Sequence, residues 1–207
     1  MNSSELIVKH FKILNEDQIK KLKQLEELFK FWNKRVNLIS RKDIDNFYLK
    51  HVLHSLSIHK LSIINHHNQT IMDVGTGGGF PGIPLAILYP NNKFYLVDSK
   101  LKKIKIIKEI IKEINIKNAT TINKRIEDED KKIDYVICRA FGRLSKIFTY
   151  TKKNIINKNN NGMICFKGGE LKEELEELNQ KHIVYELKNY FEESFFESKK
   201  IIFIPMH

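Results

Sequence analysis

The residues with the clearest chemical signature are Asp73-Val74-Gly75-Thr76-Gly77-Gly78-Gly79-Phe80-Pro81-Gly82-Ile83-Pro84, where four of the five residues from 75 to 79 are glycine. The run follows an apolar β stretch and precedes a helical one. Glycine accepts positive φ and lets a ligand approach the backbone, while the first turn of the next helix presents free N–H donors. Gly77 through Gly82 also satisfies G-x-G-x-x-G, so dinucleotide binding is one reading. Two carboxylates flank the loop: Asp73 closes the first β run, and Asp98 closes the second, 21 residues after Gly77. An acid at the end of the second strand grips ribose hydroxyls in nucleotide-binding sheets.

The acid before the loop bears on which nucleotide. Asp-x-Gly-x-Gly-x-Gly is similar to the loop of S-adenosylmethionine (SAM) methyltransferases, and 207 residues is short for an NAD-dependent oxidoreductase with its own substrate domain. That oxidoreductase, a non-catalytic RNA- or nucleotide-binding module, and a ligand-free tight turn are the other readings. Within the methyltransferase reading, the fourth β run ends Cys138-Arg139-Ala140-Phe141, without the Asn/Asp-Pro-Pro-aromatic expected where an exocyclic amino group attacks. A cysteine nucleophile needs a basic neighbour to ionise it. Arg139 is placed to serve Cys138, yet Pro-Cys and Thr-Cys pairs are missing, so Cys138 and Cys165 read as buried structural thiols. A ring nitrogen brings its own lone pair and needs orientation more than a base. Methylation at guanine position 7 therefore fits a site without an evident acid–base pair.

These groups need a sheet to hold them. β runs are expected at Ile71–Val74, Phe94–Val97, Ala119–Ile122, Tyr135–Cys138 and Met163–Phe166, with two closing strands over 182–188 and 200–204. Helices are expected at Pro81–Leu88, Lys100–Ile114, Leu144–Ile156 and Glu170–Leu178, the second with Leu101, Ile104, Ile107, Ile110, Ile111 and Ile114 on one face. This alternation predicts an α/β, Rossmann-like, mostly parallel, doubly wound sheet. Ahead of it, residues 15–33 show apolar residues at helical spacing behind an Asn15 cap, with Gln18 completing a capping box. A second helix is expected after Asp45. Residues 1–68 thus read as an α-helical N-terminal cap, and residues 69–207 as the nucleotide-binding domain, in one compact unit.

Composition limits the classes. Hydrophobic residues at 42% and charged residues at 29% argue for a folded soluble chain. The longest apolar run, Phe80 to Tyr89, is too short for a membrane span, and no signal-peptide core precedes it, so a cytoplasmic address without membrane partners is expected. His51, His54, His59, His66 and His67 lack Cys or acidic partners at zinc-like spacing, so no metal is expected. The net charge of +11 comprises 31 Lys and 5 Arg against 25 acidic groups, and lysine bias alone explains part of it. Its distribution says more: +5 over residues 1–69, +10 over 70–169 and −4 over 170–207. A basic core hints at an oriented polyanion-binding face.

Taken together, the motifs resemble the RsmG family, also called GidB, of 16S ribosomal RNA guanine-7 methyltransferases. The resemblance rests on Trp32-Asn33-Lys34-x-x-Asn37-Leu38, Lys50-His51-Val52-Leu53-His54-Ser55-Leu56, the Asp73–Pro84 loop, Val97-Asp98-Ser99, Arg139-Ala140-Phe141 and Lys167-Gly168. It implies a class I SAM-dependent methyltransferase acting on a guanine in the 530 loop of 16S RNA, free or in the small-subunit particle. The resemblance implies that Gly75 and Phe80, with Gly77 and Gly79 of the same loop, contact SAM. It places Asp98 on the ribose, Asp73 on the methionine side or the loop, and Ile126 and Glu127 on the adenine. Arg139 would stand at the SAM and substrate end of the fourth strand, and Lys167 would face the RNA as a second catalytic residue. Against the family's Arg-His-Ile-Leu-Asp-Ser, Lys50 replaces the arginine and His54 the aspartate.

Overall fold

Five strands run parallel: β1 (Thr70–Val74), β2 (Lys93–Val97), β3 (Ala119–Ile122), β4 (Tyr135–Arg139) and β5 (Gly162–Gly168). With β6 (Ile183–Glu186) and β7 (Lys199–Pro205) they form one sheet in the order β3-β2-β1-β4-β5-β7-β6, in a computed structural model that describes residues 3–64, 67–158 and 160–206. β7 lies antiparallel between β5 and β6, so the sheet is mostly parallel, as expected. His66 of the histidine group lies outside the described residues.

Crossover helices α4 (Gly82–Leu88), α5 (Leu101–Glu113), α6 (Leu144–Thr151) and α7 (Lys172–Leu178) complete the α/β pattern. On α5 the isoleucines 104, 107, 110 and 111 are buried while Lys102, Lys105, Lys108 and Lys112 are exposed, the amphipathic division read from the sequence, except that Leu101 at the first turn, expected on the apolar face, is exposed. α6 stops at Thr151, short of the expected Ile156. Beyond it Asn154 donates its amide to the Glu129 and Lys131 carbonyls, and Ile155 bridges to Ile133, which commits this stretch to extended backbone.

The N-terminal segment begins with α1 (Ser3–His10), which the sequence reading did not anticipate. α2 (Glu16–Asn33) carries the expected capping box: the Asn15 side chain accepts from the Gln18 N–H, and the Gln18 side chain accepts from the Asn15 N–H. The single helix expected after Asp45 is instead a succession of short turns. A 3-10 segment (Arg41–Asn46) leads into a π-helical segment (Tyr48–Leu53), then α3 (His54–Leu56) and another 3-10 segment (Ser57–Leu61). π turns carry an extra residue and recur at functional sites; this one brings His51 and His54 toward the sheet.

Two apolar clusters cover the two faces of the sheet. Ile71, Phe94, Leu96, Tyr135, Ile137, Ile164 and Phe166 pack with α2, α4, α5 and the turns over 47–58. Met72, Val74, Val97, Val136, Cys138, Met163 and Cys165 pack with α6 and with Leu178 at the end of α7. The strict alternation along each strand is the period-2 pattern of side chains on a pleated sheet. No helix among the described residues is long and apolar enough to cross a membrane.

Candidate active site

Alternation decides which way each candidate side chain faces. On β1, Asp73 shares the parity of Ile71; on β4, Arg139 shares that of Tyr135 and Ile137, all on the face covered by the N-terminal helices. Lys167 on β5 shares the parity of Cys165 and falls on the α6/α7 face. Val74 is in register with Val97 and with Cys138, so Gly75, Asp98 and Arg139 follow in one row at the carboxyl edge of the sheet. The strand order reverses between β1 and β4, which opens a crevice at that edge.

A cavity of about 520 Å³ fills the crevice. Gly75, Gly77, Phe80, Asp98, Ile126, Glu127 and Arg139 all line it. Gly75 has φ +67°, and a Cβ there would collide with the Phe141 ring. Asp98 ties the loop to β2: its carboxylate accepts the Gly77 N–H at 2.9 Å and the Lys100 N–H at 2.8 Å. Thr76 N–H donates to the Val97 carbonyl at 3.0 Å, a second link between the same two elements. Leu38 and Ile39 close one wall, held by Asn33, whose side-chain oxygen accepts both of their N–H groups.

Three expected site residues do not line this first cavity, Asp73 taking the loop-side place that was one of its two expected ones. Asp73 does not line the cavity; its parity turns it beneath the loop, fully buried, where Oδ2 accepts from the Thr76 hydroxyl at 2.6 Å and the Gly82 N–H at 2.9 Å. A Cβ on Gly82 would collide with this carboxylate and Leu96, so glycine is required for α4 to begin against β1. Burial pushes the Asp73 carboxyl up to about 6, against the pull of these two hydrogen bonds and of Arg139. Gly79 likewise sits under the loop, facing Ile83 and not the cavity. Lys167 lies outside this cavity: it is pinned by the Glu174 carboxylate of α7 and the Gly142 carbonyl, braces the segment after β4, and lines a second cavity together with Arg139.

Arg139 is the convergence point. Its Nη1 donates to the Lys50 carbonyl at 3.1 Å and its Nη2 donates to His51 Nδ1 at 3.0 Å, while the guanidinium lies 5.2 Å from the centre of the Phe80 ring. Burial lowers it to about 10, which leaves it charged at neutral pH. The next residue, Ala140, has φ +53°, a left-handed backbone that costs a non-glycine residue about 1–2 kcal/mol. Such outliers persist where surrounding contacts hold them and cluster at functional sites; here the bend separates Arg139 inside from Phe141 at the rim. The acidic end of the chain supports that bend. Glu174 accepts from the Leu144 N–H, and Glu177 pairs with Arg143 at 3.0 Å and with the Ser145 hydroxyl.

A second cavity, of about 700 Å³, shares His51, Arg139 and Ala140 with the first and adds His54, Phe166, Lys167 and Lys199 to its walls. His51 and Phe141, present in the motifs but given no role there, also line the first cavity. For His51 the signal lay in its neighbours, since a residue between Lys50 and the Val52-Leu53 pair inherits a buried face. Cys138 is no nucleophile: it is buried, its Sγ lies 2.9 Å from that of Cys165, and that neighbour together with burial holds its thiol well above the ordinary value.

The family model described as GidB, rRNA small subunit methyltransferase G, matches residues 18–202. A ribosomal RNA small subunit methyltransferase G from Christiangramia forsetii is 45% identical over 206 residues, covering 98% of this chain and 97% of that protein. One from Phocaeicola vulgatus is 47% identical over 207 residues, covering 98% of each. Among solved structures, a SAM-dependent methyltransferase from Aquifex aeolicus shares the fold with a TM-score of 0.56 at 15% identity, covering 73% of this chain and 90% of that one. TYW2 from M. jannaschii, in complex with AdoMet, does so with a TM-score of 0.53 at 16% identity, covering 73% and 74%. The sheet order, the glycine loop and this match over nearly its whole length agree: the chain belongs to the GidB family, rRNA small subunit methyltransferase G.

Proposed function

We propose that this protein transfers the methyl group of SAM to ring nitrogen 7 of a guanine in the 530 loop of 16S ribosomal RNA, in the free RNA or the small-subunit particle. The observation that carries the reading is the row Asp98, Gly75, Arg139 around a cavity at the switch point of the sheet. Residues 1–68 act as a cap and residues 69–207 as the SAM-binding unit, and the work is done in the cytoplasm, where small subunits are assembled.

The residues present fit SAM. A carboxylate at the end of β2 suits ribose hydroxyls, Phe80 and Ile126 offer apolar walls for an adenine, and Arg139 offers donors to a carboxylate. When bound, SAM supplies an electrophilic methyl group on a sulfonium. The chain's own task is then orientation and exclusion of water. Gly75 and Gly77 let the ligand reach the backbone, with Asp98 fixing the loop's height over the sheet. Glu127 stands beside Ile126 at the far wall. Asp73 and Gly79 act from beneath, as loop supports. Arg139, locked by Lys50 and His51, sets the boundary between cofactor and acceptor. No side chain need remove a proton, because the lone pair of nitrogen 7 is free before attack. Exposed Lys102, Lys105, Lys108 and Lys112 on α5 suit phosphate contact.

Calorimetric titration tests the cofactor assignment. Saturable one-to-one binding of SAM is expected, with no heat from NAD(H); binding of NAD(H) in its place would defeat the reading.

A further inference from the structure

The second cavity contains an unusual pair of groups. His51 and His54 are 8% and 7% exposed, both line the cavity, and the Nε2 atom of each is buried with no hydrogen-bond partner. Buried polar atoms are nearly always paired, and an exception asks for a missing partner. The two orphans are of opposite kind. Arginine only donates, so the bond from Arg139 Nη2 makes His51 Nδ1 an acceptor and leaves the ring proton on Nε2. The His54 ring hydrogen-bonds the Lys50 backbone carbonyl, an acceptor; with Nε2 unpartnered, that proton is on Nδ1, and Nε2 carries a lone pair. Burial and the Arg139 charge hold both imidazoles below their ordinary value, His51 at about 3, so both rings are neutral at physiological pH.

One donor and one acceptor beside Arg139 match a planar lactam edge. We propose that the second cavity takes the acceptor guanine by its Watson–Crick edge, His51 Nε2–H donating to O6 and His54 Nε2 accepting from N1–H. Nitrogen 7, on the other edge of the base, is then left free for the cofactor side that Arg139 and His51 also border. Adenine carries the reversed pattern, with an amino donor where guanine has O6 and a lone pair at N1, so it would meet donor with donor and acceptor with acceptor. Mismatched buried polar groups reject a ligand more strongly than missing contacts do. Phe166 and Phe195 stand edge-on to His54 at 5.2 and 5.3 Å between ring centres and fix the imidazole in place. The inference rests on the methyl-transfer reading above and adds how that site selects its base.

The test uses the full chain and small-subunit particles carrying guanine, inosine or 2-aminopurine at the target position. Inosine keeps O6 and N1–H; 2-aminopurine lacks both. Wild-type protein is expected to use guanine and inosine with similar kcat/KM and 2-aminopurine roughly 10- to 150-fold less well. His54→Phe keeps a ring among the phenylalanines but has no acceptor, so the guanine to 2-aminopurine ratio should shrink at least several-fold while SAM affinity stays within about twofold. His54→Gln, whose amide oxygen can accept, should restore most of the ratio. An unchanged ratio in a SAM-binding His54→Phe protein, or wild type using 2-aminopurine as well as guanine, overturns the proposal. If His54→Phe fails to fold, the wild-type ratios and His54→Gln still decide. Wild type that methylates none of the three particles brings down the methyl-transfer reading itself, and the base pocket with it.

Discussion

Arg139→Ala lowers kcat/KM for methyl transfer by roughly 30- to 5,000-fold, the equivalent of about 2–5 kcal/mol for truncating one member of a buried charged hydrogen-bonded group. The expectation follows from what the guanidinium holds. Removing it leaves His51 Nδ1 without its donor and takes one donor from the Lys50 carbonyl, and it merges the walls of two cavities that Arg139 separates. Arg139→Lys keeps a charge but cannot bridge both acceptors with a planar fork, so it should recover little of the lost rate. Single-turnover transfer measured beside circular dichroism checks this: the spectrum should match wild type while the rate falls. Wild-type turnover in Arg139→Ala would remove the residue from the site.

The second large effect is on stability and its pH dependence. Asp73 has an ordinary value of 3.8 and is held near 6 in the folded protein because it is buried with Oδ1 unpartnered. An acid whose folded value is raised stabilises the fold fully below its unfolded value, and that contribution is lost as pH rises through the folded one. Between pH 4 and pH 6 the folded state binds the extra proton, so stability conferred by Asp73 falls with rising pH, by about 3 kcal/mol over the window. Asp73→Asn keeps an oxygen for the Thr76 hydroxyl and the Gly82 N–H but removes the charge. The variant should therefore gain on wild type as pH rises from about 4 to about 7, then hold level. Buried His51 and His54 act in the opposite sense, destabilising the fold as pH falls below 6.5, but they are common to both proteins and cancel in the difference. Urea midpoints of the two proteins across this range read the effect, and a difference independent of pH would contradict it.

The parts legible in the sequence were those whose partners lie close along the chain. Asn15 and Gln18 are three residues apart, and their reciprocal bonds can be anticipated without knowing the fold. The isoleucine stripe of α5 and the glycine loop are similarly local. Facing was harder, because it depends on where a strand begins. Once β1, β4 and β5 are in register, alternation sends Asp73 beneath the loop, Arg139 toward the N-terminal helices and Lys167 to the other side. Parity alone does not part Lys167 from Arg139, because both line the second cavity at the carboxyl edge of the sheet. The helical segment after Asp45 has α-compatible spacing, yet its geometry answers to tertiary packing of Phe47, His51 and Phe80, whose rings stand 5.0 to 6.1 Å apart. α1 escaped notice because what anchors it is remote: Lys9 and His10 pair with Glu192 and Glu193.

Charge was legible in total but not in use. The −4 of the last segment reads as a tail set against a basic core, whereas Glu174 and Glu177 brace the bend after Arg139 and Glu192 and Glu193 fasten α1. The exposed lysines of α5 face solvent beside the cofactor cavity, where Lys103 of the same helix lines the wall.

The central claim is transfer of a methyl group to nitrogen 7 of one small-subunit guanine. Mapping 7-methylguanosine in 16S RNA from cells with and without this gene tests it most directly. The account predicts that a single modified guanine in the 530 loop loses its methyl group when the gene is absent and regains it when the wild-type gene is returned. An identical map in both strains would contradict it.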